Sequence, residues 1–364
     1  MVVQVETIAT ALWRRALPEE RVLFACLRQD LDADARARLQ TCAMAVSSWE
    51  AVLRTAVQHQ VAPLVLHALG QAGVLPRLPE AVRAALHHEM LGNVAAKATM
   101  RRALTDALAW FAAAAVDAMP VKGTSLDFRL RDPALTTSGD IDLLLRQDWG
   151  QVDARVHQRV AALNAGKPVI DVDLARHPDL VMNGVLAVDF GAIWARARRT
   201  AVDGVPMFVM SAEDELLCAC IQSARKRFFR LKSLFELAEL LRGEPGLDWD
   251  LVARNASAWR CAGITYVALL ASAATAGALI PGDLGRRLGL SRPRAWLLAA
   301  LVRRMSFARL SSLHGGVALR GKRVGRGLLP VYASLGVRGA ARALRRALTQ
   351  VVRRTSPTRA PALP

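Results

Sequence analysis

Cysteine and histidine are both scarce in this sequence, and neither is spaced in the way that metal ligands usually are. The five cysteines are odd in number, and the only close pair, Cys218 and Cys220, falls in a stretch with helical spacing. The seven histidines are scattered, without a His-Glu-x-x-His motif. We therefore expect no structural zinc site, and we expect reduced cysteines in the core of a cytoplasmic protein.

A signal peptide and a long, strongly apolar run are also absent. The first residues lack the basic and then apolar order of a secretory signal. Residues 261–280 carry no charge, but they are rich in Ala, Ser, Thr and Gly and are only mildly hydrophobic. This composition is poor for membrane insertion, so we predict a small-residue helix packed inside a helical bundle.

Acidic residues are missing from the last part of the chain. The formal charge is +18, and the whole excess follows Asp283, the last acid, because 18 of the 49 basic residues lie beyond it against 31 acids before it. Residues 337–351 repeat apolar side chains at helical spacing among arginines, which predicts a basic amphipathic helix. Such a helix would bind an anionic membrane surface, with the protein peripheral to the membrane, or an acidic partner. Nucleic acid is less favoured because aromatics are few, and genomic composition alone also produces Arg-rich tails.

Apolar spacing divides the chain into four regions. Residues 1–115 form an N-terminal helical region, and residues 211–300 form a helical domain. Residues 116–210 differ in character, and residues 301–364 form a basic C-terminal segment. The fold class that follows is α+β, with a small mixed β-sheet inserted between helical regions.

Short apolar runs place the strands within residues 116–210, around one helix. The predicted strands lie near residues 117–121, 141–145, 185–190 and 205–210, and the predicted helix lies near residues 149–163. A further helix should start at Ser211, because Asp214 follows three residues later in a capping-box-like arrangement.

Two aspartates, Asp140 and Asp142, carry most of the functional information. On a β-strand alternate side chains point to the same face, so the Asp-Ile-Asp sequence aims both carboxylates one way. Carboxylates held side by side repel each other, which makes a divalent cation their natural partner. Downstream, residues 185–190 read as another strand that carries a single acid, Asp189.

A short turn precedes the acid pair. An apolar run ends in Lys122, Gly123, Thr124 and Ser125, where small residues let backbone N–H groups approach a phosphate. Turn, acid pair and third acid follow one another in the order that a two-metal phosphoryl-transfer site requires.

Three features remain open to more than one interpretation. Asp171 and Asp173 repeat the spacing of the acid pair, but we assign them to solvated surface because no phosphate-type turn precedes them. Lys122 fits a triphosphate contact and an ordinary exposed lysine equally well. The basic run at residues 225–232 fits contact with a triphosphate or an acidic acceptor, and equally a solvated helix face beside a buried Phe pair.

Residues 119–142 resemble the Gly-Ser turn and Asp-x-Asp strand of the DNA polymerase beta-like nucleotidyltransferase superfamily. They are most similar to its poorly characterised bacterial branch, whose members carry Leu-Lys-Gly and Asp-Ile-Asp-Leu-Leu, here Val-Lys-Gly and Asp-Ile-Asp-Leu-Leu. The resemblance extends over about residues 45–275 and includes flanking helices. Where relatives tend to have Arg before the acid pair, this chain has Thr136 and Thr137, and Gly191 and Gln222 stand where relatives tend to have His.

The resemblance implies a nucleotidyltransferase core and transfer of a nucleoside monophosphate from an NTP, with ATP expected, to an unidentified acceptor. Two Mg²⁺ ions would be held by Asp140, Asp142 and Asp189, and Lys122, Gly123, Thr124 and Ser125 would contact the phosphates. Two alternatives stay open. One is a catalytically inactive binding protein with the same fold, and the other is a surface-associated partner protein that acts through its basic tail.

Overall fold

The computed structural model describes residues 5–146, 185–305 and 307, the backbone of residues 171–174, and isolated positions at 154, 155, 158, 161, 182, 333, 335 and 336. The predicted helix near residues 149–163 lies largely outside the described residues, and the predicted amphipathic helix at residues 337–351 lies entirely outside them.

Helices make up the described N-terminal region, and their first turns carry the residues that favour helix starts. Asp32 accepts a hydrogen bond from the Ala35 backbone N–H at 2.7 Å, and Ser48 accepts one from Ala51 at 3.1 Å. The helices are α1 (Val5–Arg15), α2 (Pro18–Ala25), α3 (Ala33–Met44), α4 (Trp49–Gln58), α5 (Ala62–Gln71) and α6 (Glu80–Ala113).

A three-stranded mixed sheet follows α6, which confirms the α+β class. Strand β1 (Ala118–Val121) leads directly into the short helix α7 (Lys122–Asp127) and pairs antiparallel with β2 (Asp140–Leu145). Strand β2 then pairs in parallel with β3 (Asp171–Leu174). The central strand of the sheet is therefore the strand that carries the acid pair, Asp140 and Asp142.

The strand predicted near residues 185–190 is wrong. The backbone N–H of Ala187 donates to the Trp259 carbonyl at 3.1 Å, and Asp189 is the N-cap of helix α8 (Phe190–Arg196). Aspartate is a preferred N-cap, and its carboxylate satisfies a backbone N–H that a helix start leaves unpaired. Asp171 and Asp173, which we assigned to solvated surface, lie in strand β3, which the sequence analysis did not predict.

A second, two-stranded sheet confirms the strand predicted near residues 205–210. Strands β4 (Arg198–Val202) and β5 (Val205–Val209) form a hairpin whose turn residues, Asp203 and Gly204, both have positive φ. In two-residue turns of this kind, the backbone twist matches the right-handed twist of the two flanking strands. Arg101 of α6 holds the turn with two hydrogen bonds to Asp203, at 2.8 Å and 2.6 Å.

Helices return after Met210. Ser211 accepts a hydrogen bond from the Asp214 backbone N–H at 3.2 Å, as the capping pattern predicted. Residues 262–276 of the uncharged stretch form a helix that is buried on almost every side. No helix among the described residues combines the length and apolarity needed to cross a bilayer. The helices are α9 (Ala212–Arg225), α10 (Leu231–Gly243), α11 (Trp249–Ala258), α12 (Ala262–Ala276), α13 (Leu284–Arg287) and α14 (Arg292–Val302).

Apolar packing separates the two faces of the central strand. On one face, Ile141, Leu143 and Leu145 pack against α6 through side chains such as Leu104 and Phe111. On the other face, Leu144 joins the larger core built mainly from the surrounding helices. Because strand side chains alternate, the acid pair lies on this second face, away from α6.

His59, at the end of α4, links the N-terminal helices to the C-terminal ones. Its imidazole is fully buried, and Nδ1 accepts the Leu231 backbone N–H at 3.3 Å. The proton is therefore on Nε2, which donates to the Phe307 carbonyl at 3.0 Å. Burial lowers the pKa of His59 to about 4, because the charged imidazolium loses its hydration there.

We expect acidification to destabilise the fold through His59. The pKa falls from an ordinary 6.5 to about 4 on folding, so the stabilisation is fully present above pH 6.5 and is lost as the pH falls toward 4. Between pH 7 and pH 5 this residue should remove about 2 kcal/mol from the free energy of unfolding, measured by urea titration at both pH values.

Two variants separate His59 from other titrating groups. His59→Leu should be less stable at pH 7, because two hydrogen bonds are lost, but its stability should change less between pH 7 and pH 5. His88→Gln, at an exposed position of α6, should keep the full difference. An undiminished pH difference in His59→Leu would contradict the assignment.

Candidate functional site

Asp140 and Asp142 occupy different environments on β2. Asp140 begins the strand and is exposed, whereas Asp142 is only 2% exposed. Ile141, between them, is fully buried on the opposite face. The strand therefore presents one accessible carboxylate and one enclosed carboxylate.

The enclosed carboxylate is paired with Lys122. The register of β1 against β2 sets Val121 opposite Asp142, so the residue that follows Val121 can reach this carboxylate. Lys122 Nζ donates to Asp142 Oδ1, and the lysine side chain is 18% exposed. Lys122 is thus not an ordinary surface lysine, because it supplies a counter-charge for Asp142.

Lys122 also has an unusual backbone conformation, with φ at +58°. Left-handed φ is ordinarily a glycine position because a Cβ is crowded there. Gly123 comes next, and a Cβ added to it would lie 3.4 Å from Lys232 Nζ and 3.5 Å from Ser138 Oγ. A side chain at position 123 would therefore contact the ammonium of Lys232, while Lys122 adopts the left-handed conformation.

Thr124 and Ser125 are buried, and their hydroxyls hold the turn in place. Thr124 Oγ1 donates to the Asp140 carbonyl at 3.4 Å. Ser125 Oγ donates to the carboxylate of Glu215 in α9, which also pairs with Arg129 Nε at 2.7 Å. The turn is thereby fixed to β2 and α9, and the side chain of Ser125 is committed to Glu215.

Two lysines converge on Ser138, just before the acid strand. Lys97 Nζ donates to Ser138 Oγ at 2.9 Å, and Lys232 Nζ does so at 3.3 Å. Lys97 is paired with Asp127, and Lys232 lies 3.3 Å from Glu236 Oε1. Burial lowers the pKa of Lys97 and raises the pKa of both acids. This lysine–acid cluster fixes the chain that enters β2.

The basic run at residues 225–232 joins α9 to α10 near the acid pair. Burial lowers the pKa of Lys226, and the positive charge of Arg230 lowers it further, whereas the negative charge of Asp140 opposes the shift. Phe228 is fully buried and has a φ of +59°. Phe228 therefore belongs to the core, whereas Lys226 interacts electrostatically with Asp140 of the acid pair.

Gln60, directly after α4, holds two parts of the site. Its Oε1 accepts a hydrogen bond from Arg230 Nη1 at 2.9 Å. Its backbone carbonyl accepts one from Thr137 Oγ1 at 3.3 Å. The same residue thus positions the basic run and the segment that leads into the acid strand.

Asp189 does not lie on the sheet. Its carboxylate accepts the Ala192 backbone N–H at 2.9 Å, as the N-cap of α8. Arg196 is a charged neighbour of Asp189, and it pairs with Asp214 at 2.8 Å. The strand expected to carry Asp189 beside the acid pair is replaced by a helix start.

The strand beside the acid pair is β3. Its register sets Asp171 opposite Asp140 and Asp173 opposite Asp142. Register partners on neighbouring parallel strands fall on the same face of a sheet. Sequence reasoning missed this strand, although its Asp-Val-Asp-Leu repeats the Asp-Ile-Asp-Leu of β2. Among the described side chains, which exclude those of β3, no three His, Cys, Asp or Glu residues form a metal-binding group.

We expect Ser125 to stabilise the fold through Glu215. Ser125→Ala should lower the free energy of unfolding by about 1–2 kcal/mol, because a buried carboxylate loses a hydrogen-bond donor. Glu215→Gln should reduce the effect of Ser125→Ala in a double-mutant cycle measured by urea unfolding. Ser257→Ala, at an exposed position of α11, is the matched control and should change stability little. Full additivity of Ser125→Ala and Glu215→Gln would show that the two side chains do not interact.

Comparison with known proteins identifies the family. The family described as "Uncharacterised nucleotidyltransferase" matches residues 46–277, which include the turn, the acid pair, β3 and the basic run. A search of curated proteins and a search of solved structures found no match. Because the family match covers more than half of the 364 residues, the chain belongs to this family of nucleotidyltransferases.

Proposed function

We propose that this protein transfers a nucleoside monophosphate from an NTP, with ATP the expected donor, to an acceptor hydroxyl or similar group, and releases pyrophosphate. The observation that supports this best is the face of β2, where Asp140 and Asp142 lie beside the Lys122 turn. Phosphoryl transfer depends on positioning and on charge neutralisation, so the proposal needs no covalent nucleophile.

The acid pair fits a hard divalent cation. Carboxylate oxygens are the protein ligands that Mg²⁺ prefers, and Asp142 already attracts a positive charge, the ammonium of Lys122. Two bound Mg²⁺ ions would neutralise the triphosphate and lower the pKa of the acceptor hydroxyl. Asp140 is exposed and is therefore the carboxylate that an arriving metal–nucleotide complex meets first.

We propose Asp173, from its backbone register alone, as a second candidate beside Asp189 for the third acid of the site. Asp173 is the register partner of Asp142 on the neighbouring strand, whereas Asp189 caps a helix and lies near Arg196. Two adjacent strands are a rigid way to bring carboxylates to one metal site. If Asp173 takes this role, Asp189 serves the fold as the N-cap of α8.

Positive charge beside the acid pair supports binding of a triphosphate. The positive charges of Arg230 and Lys122 lie close enough to Lys226 to repel its ammonium, and the negative charge of Asp140 lies close enough to attract it. Because like charges held together repel, an anion that lies between them is stabilised. Gly123 and Thr124 contribute backbone N–H groups to the same phosphates, and Ser125 supports the turn through Glu215.

Asp140→Asn or Asp142→Asn should lower Mg²⁺-dependent pyrophosphate release by at least about 100-fold, since each change removes a metal-binding charge at nearly constant volume. A coupled pyrophosphate assay measures the release, with several NTPs and candidate acceptors. Asp106→Asn, at an exposed position of α6, is the control and should keep wild-type activity. A wild-type protein that binds NTP without releasing pyrophosphate would favour the inactive binding protein, and activity retained in both acid variants would refute the assignment.

The third acid is tested by a matched pair of variants in the same assay. Asp173→Asn should reduce pyrophosphate release about as much as Asp140→Asn does. Asp189→Asn should retain most activity and change stability little, because asparagine caps a helix about as well as aspartate does. The reverse order of the two variants would return the third position to Asp189.

We further propose that the basic C-terminal segment binds an anionic surface, on the strength of the charge excess beyond Asp283. Part of that excess belongs to the folded body, because Leu284, Leu298, Val302 and Phe307 are buried. The detachable part therefore begins later than Asp283. Residues 337–364 hold seven arginines and no acid, so they carry the proposed binding surface.

Truncation after Gly336 should lower the formal charge from +18 to +11 and weaken binding to vesicles that contain anionic lipid, because seven arginines are removed. Cosedimentation at low and high salt measures this, since salt screens such contacts. A full-length variant with the same seven arginines changed to glutamine is the matched control for charge. Equal vesicle binding by the full chain at both salt concentrations would contradict the model.

A further inference from the structure

We propose that Lys122 occupies the metal-binding oxygen of Asp142 in the metal-free protein, and that metal entry and release of Lys122 are a single exchange. In this scheme Lys122 is a positioning residue. It stabilises the empty site, and it weakens metal binding until an anionic nucleotide arrives to receive the displaced ammonium. This inference rests on the proposed two-metal function.

Burial is the first ground for the exchange. The Asp142 carboxylate is only 2% exposed, and a carboxylate that has lost its hydration needs a cation close by. Lys122 Nζ meets that need on Oδ1. A metal bound to the same carboxylate meets the need equally well, so the two cations are alternative partners of one buried charge.

The backbone at Lys122 is the second ground. The left-handed φ of +58° falls on Lys122, although the neighbouring residue is glycine, which would adopt it at no steric cost. Strained backbone is retained where the surrounding structure requires the side chain. Here the conformation directs a lysine to Asp142, and a glycine at this position would relieve the strain but lose the contact.

Competition for Oδ1 is the third ground. Mg²⁺ binds oxygen at about 2.0–2.1 Å, which leaves no room for an ammonium on the same lone pair. The displaced ammonium cannot simply move aside, because Lys226 and Arg230 already place positive charge nearby. The triphosphate of an incoming NTP supplies the missing negative charge. Metal alone should therefore bind weakly, and metal with nucleotide should bind well.

Calorimetric titration of the full-length protein with Mn²⁺ alone tests the exchange. Lys122→Met removes the competing cation at similar volume and should tighten Mn²⁺ binding about tenfold, in the range of typical coupling energies. Lys122→Arg keeps the charge and should bind Mn²⁺ as weakly as the wild type. Lys226→Met is the matched control for general electrostatics and should have much less effect, because Lys226 acts on Asp140 through its charge and is not the group that donates to Asp142 Oδ1.

Thermal melting gives a second readout that does not depend on activity. In EDTA, Lys122→Met should melt below the wild type, because Asp142 loses its counter-charge, and Mn²⁺ should raise its melting temperature more than it raises that of the wild type. Lys122→Gly is the second variant if Lys122→Met does not fold, since glycine accepts the left-handed φ and leaves space for water beside Asp142. It should show the same gain in Mn²⁺ affinity.

The outcomes separate this inference from the proposed function. If Asp142→Asn abolishes Mn²⁺ binding while Lys122→Met and Lys122→Gly bind Mn²⁺ no more tightly than the wild type, the metal site stands and the exchange is refuted. A tightening by Lys226→Met as large as that by Lys122→Met would also refute it. If Mn²⁺ binding is detected in none of these proteins, with or without nucleotide, the two-metal function itself fails.

Discussion

A negative charge enclosed by protein is the constraint on which the candidate site depends. Asp142 lies on the central strand of the sheet, where burial removes the hydration that normally stabilises a carboxylate. The chain answers this with Lys122, whose backbone must adopt a left-handed conformation to deliver its side chain. The register of β1 against β2 sets Val121 opposite Asp142 and so brings the next residue, Lys122, within reach of that carboxylate.

The helical regions complete the site as well as surrounding it. Lys97 comes from α6, Lys232 from α10, and both reach Ser138 just before the acid strand. Lys226 and Arg230 come from the connection between α9 and α10. A sheet of three strands is too small to provide these charges itself, so the surrounding helices and the connection between α9 and α10 supply them.

The residues whose importance could be predicted from the sequence are those with a local signal. Asp140 and Asp142 stand out because strand alternation is a two-residue pattern, and Ser211 stands out because helix capping spans only a few residues. The buried helix at residues 261–280 was also predictable, since its composition excludes a membrane span. Each of these inferences needs only neighbours in the chain.

The remainder depends on contacts that no local pattern encodes. The cluster around Ser138 joins residues 41 and 94 positions apart, and His59 meets Phe307 across 248 positions. The strand predicted near Asp189 was wrong because a short apolar run that ends in an acid looks the same in sequence whether it forms a strand or leads into a capped helix. The strand β3 was missed because its parallel pairing with β2 becomes visible only when the sheet is assembled.

Gln60 shows how far the parts of this chain depend on one another. Its side chain accepts a hydrogen bond from Arg230, and its backbone carbonyl accepts one from Thr137. A residue of the N-terminal helical region therefore sets the spacing between the basic run and β2. That region therefore fixes the distance between the two segments. The sheet and its adjoining helices are consequently not an independent unit. Without the first sixty residues they would keep the carboxylates and cations of the site but lose the contacts of Gln60 that set the distance between them.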